Sequence, residues 1–375
     1  MSRPEDHQPL KNPPKVPRPP IPSSSVLLVS PSNQILLLHR VRTSSSFASA
    51  HVFPGGALSA EHDGEIPAVD SLARHEDGKA YRLAAIRETF EESGILLAKN
   101  KTTGRLFTEI GDQEREEGRK AVHSGKIMFL DWLGKVGAVA DTDALIPLTR
   151  WITPANVPKR FTTQMYLYFL PLPTSPSSSS SSPLPPSSPA SPISTTLDPD
   201  EIIIPTPTPD GGIEHTAARF LPAAKWLALA RAARILLFPP QFFLLHLLAP
   251  YLARSSTSPT SPLPPPAALQ AERDALLKFL NEPAVYDGER EASWADAAIS
   301  PRPVVGLPGY GDVGQGATVL GLEWAGPEVE RQGKGRRGVK GWVVVARFAR
   351  EGPREVEVVR REEVVVGGRG GGGKL

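Results

Sequence analysis

The chain of 375 residues contains no cysteine. This absence excludes disulfides, iron–sulfur clusters, zinc sites built on cysteine and a thiol nucleophile. The chain also lacks an excess of one charge, because 42 lysines and arginines stand against 40 aspartates and glutamates, for a net charge of +2. A chain so close to neutrality has no global field that would attract nucleic acid, and we expect no nucleic-acid partner.

A long apolar run without interruption is missing as well. Residues 235–253 carry no formal charge and approach the length that a bilayer requires. Prolines interrupt this segment, and Gln241 and His246 would need polar partners in lipid. We predict a buried helix that begins at Pro239 and no stable membrane span, with a membrane-associated protein as the alternative.

Proline, by contrast, is abundant, with 41 residues. Much of it lies with serine in segments that cannot bury enough apolar surface to fold. The segments predicted to be disordered or Pro-rich are an arm at 1–22, an insertion at 171–198 and a stretch at 255–266. The remaining sequence predicts one domain over 23–285 and a low-complexity, Gly-rich tail over 286–375, with a β-hairpin at 341–366.

A helix is predicted from Tyr81 to Ser93. Leu83, Ile86 and Phe90 recur at the spacing of one helix face. Gly94 then stands where glycine commonly ends a helix. The polar residues of this helix must therefore point away from its apolar stripe.

Three glutamates share one face of this helix. Glu88, Glu91 and Glu92 have the spacing i, i+3, i+4, so their like charges repel by a few tenths of a kcal/mol per pair. A hard divalent cation would offset the repulsion, because it takes carboxylate oxygens as ligands. Arg87 lies one turn before Glu91 and is placed to fix that side chain. A solvated acidic helix face is the alternative for such a cluster taken alone.

These residues form part of a longer pattern. Gly55 stands six positions before Glu61, and Arg87-Glu88-Thr89-Phe90-Glu91-Glu92-Ser93-Gly94-Ile95 follows downstream. Together they resemble the box of the Nudix hydrolases, in which Gly-x5-Glu-x7 precedes Arg-Glu-U-x-Glu-Glu-x-Gly-U and U is aliphatic. Thr89 departs from the aliphatic position, and an insertion at 62–79 separates the two halves. Loops tolerate such insertions at small entropic cost, but the role of Glu61 stays open.

Looser motifs resemble one branch of this superfamily. Several segments are similar to segments of peroxisomal acyl-CoA diphosphatases, which also carry an insertion inside the box: 35–40, 46–56, 150–154, 159–163, and Trp226 together with 239–242. The resemblance implies a Nudix α/β/α sandwich with a mixed sheet. It implies divalent-metal-dependent hydrolysis of a small-molecule diphosphate, chiefly CoA or acyl-CoA, to 3′,5′-ADP and a phosphopantetheine product. The alternatives are another nucleoside diphosphate derivative, such as ADP-ribose, or a non-catalytic binding module.

The resemblance also implies residue roles. By this resemblance Glu88, Glu91 and Glu92 are ligands of Mg²⁺ or Mn²⁺, and one of them acts as the general base. Arg87 belongs to the same catalytic group. Glu214 is the candidate for a further acid from a later loop. The candidate substrate-binding residues are Arg40, Arg42, Phe53, Gly55, Gly56 and Arg160, with Lys159 as a further cation for a 3′-phosphate.

The terminal Gly373-Lys374-Leu375 resembles the Ser-Lys-Leu peroxisomal address, with glycine in place of serine. We therefore expect an intracellular protein, in the peroxisome or alternatively in the cytoplasm or mitochondrion. The sequence leaves the oligomeric state open.

Overall fold

The structure is a computed structural model that describes residues 17–41, 49–172, 215–252, 264–283, 285–286, 291–304, 316–331, 336–349 and 351–367. The strands are β1 (Ile21–Val29), β2 (Ile35–Arg40), β3 (His51–Val52), β4 (Gly55–Ala57), β5 (Ala98–Asn100), β6 (Ala138–Ala140), β7 (Ile146–Ile152), β8 (Phe161–Phe169), β9 (His215–Leu221), β10 (Val285–Tyr286), β11 (Glu291–Ala292), β12 (Ala298–Ile299), β13 (Arg302–Pro303), β14 (Thr318–Leu322), β15 (Val339–Ala349) and β16 (Gly352–Arg360). The helices are α1 (Ala60–Asp63), α2 (Lys79–Ser93), α3 (Asp112–His123), α4 (Phe129–Lys135), α5 (Ala223–Arg231), α6 (Pro239–Leu248), α7 (Pro266–Asn281), α8 (Pro327–Glu330) and α9 (Arg361–Gly367). Short 3₁₀ helices lie at Leu72–His75, Thr142–Ala144 and Trp294–Asp296.

The main sheet has eight strands and is mixed. Its order is β12-β7-β8-β1-β2-β3, with β4 also paired to β1 and β9 to β2. β1 pairs in parallel with β8 along its whole length, so its other partners must share the opposite edge. On that edge Val29 pairs with β2, whereas Ser23 to Ser25 pair with β4. The division brings the Gly55–Gly56 bend against the central strand.

Helices cover both faces of this sheet. Along β1, Val26 and Leu28 enter one apolar core, while Leu27 and Val29 enter the other, as the two-residue period of a strand requires. Side chains of α2 and α4 fill the first core, and those of α5, α6 and α7 fill the second. The predicted α/β/α sandwich with a mixed sheet is confirmed.

Two helices follow from local sequence signals. α2 extends from Lys79 to Ser93, and Gly94 ends it in the left-handed conformation at φ 72°. The apolar segment around 235–253 contains α6, which begins at Pro239 as predicted and is mostly buried. Among the helices that the structure describes, none is long and apolar enough to cross a bilayer.

The region predicted as a low-complexity tail contains more structure than the hairpin expected there. β13, β14, β15 and β16 form a four-stranded antiparallel sheet, and Leu320, Leu322 and Val344 enter the second core. The hairpin itself is β15–β16; it ends at Arg360, and 361–367 are helical rather than extended. The valines of these strands lie among many glycines. The Gly-rich composition therefore predicted a low-complexity tail with one hairpin, rather than a four-stranded sheet.

The segments predicted to be disordered fall largely outside the described residues. The arm at 1–22 is described only from residue 17, and its last two residues belong to β1. The insertion at 171–198 is described only at 171–172, and the segment at 255–266 only from 264.

Candidate active site

The glutamates of α2 are less exposed than a solvated helix face would make them. Glu91 is 8% exposed and Glu92 is 6% exposed. They lie near the end of α2, whose last residue is Ser93. Buried carboxylates require hydrogen-bond partners, because an unpaired buried charge is strongly unfavourable.

Arg87 provides much of that pairing. Its Nη1 donates to Oε1 of Glu88 at 2.8 Å and to Oε1 of Glu91 at 3.0 Å. Its Nε and Nη2 donate to the two carboxylate oxygens of Asp63, each at 2.9 Å. One guanidinium therefore holds three carboxylates from two helices, a use that suits its planar, forked set of donors.

The glycine bend lies directly against two of the glutamates. The backbone N–H of Gly55 donates to Oε2 of Glu92 at 2.8 Å. A Cβ on Gly56 would lie 2.5 Å from the carboxyl carbon of Glu88, closer than real Cβ contacts come. A Cβ on Gly55 would meet the carbonyl oxygen of Ser24 at 2.2 Å, so the pairing with β1 also requires glycine. The two halves of the box thus meet in space despite the insertion between them.

Asp63 takes a place that sequence reasoning did not assign to it. Its side chain is fully buried, and its Oδ2 also accepts the backbone N–H of Ser59 at 2.8 Å. Glu61, the glutamate of the box pattern, lies exposed on the same short helix. The only sequence signal for Asp63 is an acidic residue two positions beyond Glu61, where the box pattern expects none.

His123 is the second residue that the sequence analysis missed. It is the last residue of α3, and its Nδ1 lies 3.0 Å from Oε2 of Glu91. An ionised carboxylate can only accept, so Nδ1 carries the hydrogen. No spacing relates His123 to the box, because the contact joins elements that are distant in the sequence.

The charges of this cluster shift the pKa values of its members. Burial raises the pKa of Glu88 to about 7; Glu91 adds to this rise, while Arg87 opposes it. Burial also favours the neutral form of Glu91, but hydrogen bonds from His123 and Arg87 outweigh it and lower the pKa. Burial disfavours the charged form of Arg87, yet Glu88 and Asp63 raise its pKa above the ordinary value.

The donor chemistry suits a hard divalent cation. Asp63, Glu88, Glu91 and Glu92 together carry more negative charge than Arg87 can balance when all are ionised. Carboxylate oxygens are the ligands that Mg²⁺ and Mn²⁺ prefer. Within the described part of the chain, however, no three His, Asp or Glu side chains already stand together as a metal-binding group.

Two of the candidate substrate-binding residues are placed differently from the prediction. Arg160 is fully buried and pairs with Glu328, and its Nε donates to the carbonyl of Thr153 at 3.0 Å. Its donors are therefore engaged within the protein, and contact with a 3′-phosphate would require breaking a buried ion pair. Phe53 is only 2% exposed and belongs to the second core. In this structure both side chains contact the rest of the fold rather than solvent.

The other candidate residues divide by location. Arg40 lies partly exposed at the end of β2, and its backbone N–H donates to the carbonyl of Ala50. Lys159 is exposed and lies over the ring of Phe161 at 5.5 Å. Arg42, Glu214 and the terminal 373–375 lie outside the described residues.

Comparison with known proteins gives the same family as the box. Residues 69–183 match a family model described as the NUDT19 Nudix domain. The putative nudix hydrolase 7 of Caenorhabditis elegans is 30% identical over 145 residues, which cover 39% of this chain and 42% of the relative. The acyl-coenzyme A diphosphatase NUDT19 of Gallus gallus is 30% identical over 179 residues, which cover 36% of this chain and 47% of the relative. The chain thus spans less than half the length of these curated relatives.

Among solved structures, a NUDIX hydrolase from Alicyclobacillus acidocaldarius aligns with a TM-score of 0.46 and 18% identity, covering 66% of this chain and 98% of the other. A MutT protein from Methanosarcina mazei aligns with a TM-score of 0.29 and 12% identity, covering 64% of this chain and 97% of the other. The family model and the curated relatives agree with the box that surrounds Arg87: residues 69–183 are similar to the Nudix domain of NUDT19.

Proposed function

We propose that this protein is a hydrolase that cleaves a diphosphate linkage with the help of Mg²⁺ or Mn²⁺. The observation that carries the proposal is the group of buried carboxylates on α2, which meets the Gly55–Gly56 bend and surrounds Arg87. The names of the relatives, a nudix hydrolase and an acyl-coenzyme A diphosphatase, support the same class of reaction.

CoA or acyl-CoA is the proposed substrate, with 3′,5′-ADP and phosphopantetheine or its acyl ester as products. The support is the printed activity of the Gallus gallus relative together with the segments that resemble the acyl-CoA diphosphatase branch. Among the candidate cations for a substrate phosphate, Arg40 and Lys159 have side chains that reach solvent. We do not include Arg160 in this proposal, because its guanidinium is paired with Glu328 inside the fold.

Each residue of the site has a separate role in the proposed reaction. Glu88, Glu91 and Glu92 would hold the divalent cation, and Arg87 keeps Glu88 and Glu91 oriented along the helix. A divalent cation bound there supplies Lewis-acid polarisation of the phosphoryl oxygens. Gly55 and Gly56 leave room at the bend, since neither carries a side chain that would cover the carboxylates. One of the glutamates accepts the proton of the attacking water.

A substrate panel with purified protein tests this function. We expect turnover of CoA and acyl-CoA only with added Mg²⁺ or Mn²⁺, with 3′,5′-ADP identified by chromatography. Glu91→Gln and Glu92→Gln should each lower the rate by about a hundredfold or more, because the general-base and ligand functions are lost while the side-chain shape persists. Glu61→Gln is the matched control: it changes an exposed glutamate of the same box and should keep the rate within about twofold.

Three outcomes would contradict the proposal in different ways. Full activity in both Glu91→Gln and Glu92→Gln removes these carboxylates from the reaction. Faster hydrolysis of ADP-ribose than of any CoA ester keeps the reaction class but replaces the substrate. Tight binding of CoA without any turnover makes the domain a ligand-binding module.

A further inference from the structure

Glu91 is held from two sides by two different elements. Its Oε1 accepts from Arg87 on its own helix, and its Oε2 accepts from Nδ1 of His123 at the end of α3, each at 3.0 Å. The carboxylate end is enclosed, since the side chain of Glu91 is 9% exposed against 35% for His123. Both oxygens are therefore fixed, and the orientation of the carboxylate depends on where α3 lies.

Packing between helices sets the position of α3. A Cβ on Gly118 of α3 would lie 2.3 Å from the indole of Trp132 on α4, so the two helices touch through a glycine. The same indole stacks on Phe90 of α2, with ring centroids 4.7 Å apart. Phe90 immediately precedes Glu91. This series of contacts links α3 to α2 and places His123 against one particular glutamate of the box.

We propose that His123 is a positioning residue, which holds the Glu91 carboxylate in its ligand orientation and thereby sets the affinity of the site for a divalent cation. The proposal rests on the proposed function, because it assumes that Glu91 is a ligand. Hydrogen bonds to the far side of a metal ligand restrict its rotation, and their loss typically weakens metal binding by about 10- to 100-fold. A purely structural role for His123, as the last residue of α3, would instead affect stability.

Binding of Mn²⁺ to substrate-free protein, followed by electron paramagnetic resonance, tests the inference without any assay of turnover. We expect His123→Ala to raise the dissociation constant for Mn²⁺ by about tenfold. His123→Asn keeps a side-chain N–H near the position of Nδ1 and should restore most of the affinity. Lys120→Ala is the control, since Lys120 is 73% exposed one turn earlier on the same helix.

The rate measurements then separate positioning from catalysis. In His123→Ala the Mn²⁺ concentration for half-maximal rate should rise by about tenfold, while kcat at saturating metal stays within about threefold of the wild type. Unchanged Mn²⁺ affinity in His123→Ala overturns the inference. So do equal losses in the Ala and Asn variants, or a large fall in kcat with unaltered binding. A wild-type protein whose affinity for Mn²⁺ depends on His123 as expected, but which hydrolyses no diphosphate, contradicts the proposed function alone.

Discussion

The bond between Asp63 and Arg87 offers a quantitative test of the site. Asp63→Asn keeps the shape of the side chain but removes the charge that faces the guanidinium at 2.9 Å. Both side chains are almost completely enclosed, with 0% exposure for Asp63 and 6% for Arg87. Removing one partner of a buried ion pair lowers the free energy of unfolding by about 3 to 5 kcal/mol.

The expected loss lies near the lower end of that range. Asparagine keeps one oxygen that can accept from Arg87, and Arg87 keeps its bonds to Glu88 and Glu91. We therefore expect a loss of about 3 kcal/mol in the free energy of unfolding. At roughly 2 °C per kcal/mol for a domain of this size, the thermal midpoint should fall by about 6 °C.

Urea unfolding followed by circular dichroism measures this loss. Glu61→Gln serves as the matched control, because Glu61 is exposed on the same short helix and its replacement should change the free energy by less than about 0.5 kcal/mol. A stable Asp63→Asn variant together with a destabilised Glu61→Gln variant would refute the reasoning. It would mean that the glutamate of the box pattern, rather than Asp63, supports Arg87.

Two further predictions concern the bend and the pH dependence of stability. Gly56→Ala should lower the hydrolysis rate by about a hundredfold by displacing the Glu88 carboxylate, with little change in thermal midpoint; Gly78→Ala, whose Cβ meets open space, should leave both unchanged. Burial lowers the pKa of His75 from 6.5 to about 4. The unfolded chain therefore binds more protons between these values, and stability rises from pH 4 to 6.5 by about 3 kcal/mol from this residue alone. In His75→Asn the difference in the free energy of unfolding between these pH values should shrink by that amount. The same difference in wild type and variant would contradict the lowered pKa of His75. A fully active Gly56→Ala variant would contradict the role of Gly56 in placing the Glu88 carboxylate.

Local signals in the sequence predicted the elements that carry the site. The apolar stripe of Leu83, Ile86 and Phe90 and the stop at Gly94 define α2, and Pro239 marks the start of α6. These predictions succeed because capping and helical spacing depend on residues within a few turns of each other.

The contacts that complete the site could not be read in the same way. Asp63 and His123 meet α2 only after the chain has folded, and neither has a spacing that relates it to Glu91. The same holds for Arg160, whose guanidinium pairs with Glu328, a residue that lies 168 positions away in the sequence. Sequence patterns identify residue types, whereas long-range packing decides which of them face a cavity and which face a partner.

The C-terminal sheet shares a core with strand β1, and these two parts of the molecule are far apart in the sequence. Arg336 donates to the carbonyl of His75 across 261 positions, and Arg273 donates to Asn33 across 240. Such distant contacts form slowly, because a long loop must close before they are made. During synthesis, β1 leaves the ribosome before α5, α6, α7 and the C-terminal strands that complete the core around Leu27 and Val29. The apolar side of β1 therefore stays incompletely covered until the C-terminal strands have been made, and such exposed apolar surface favours aggregation.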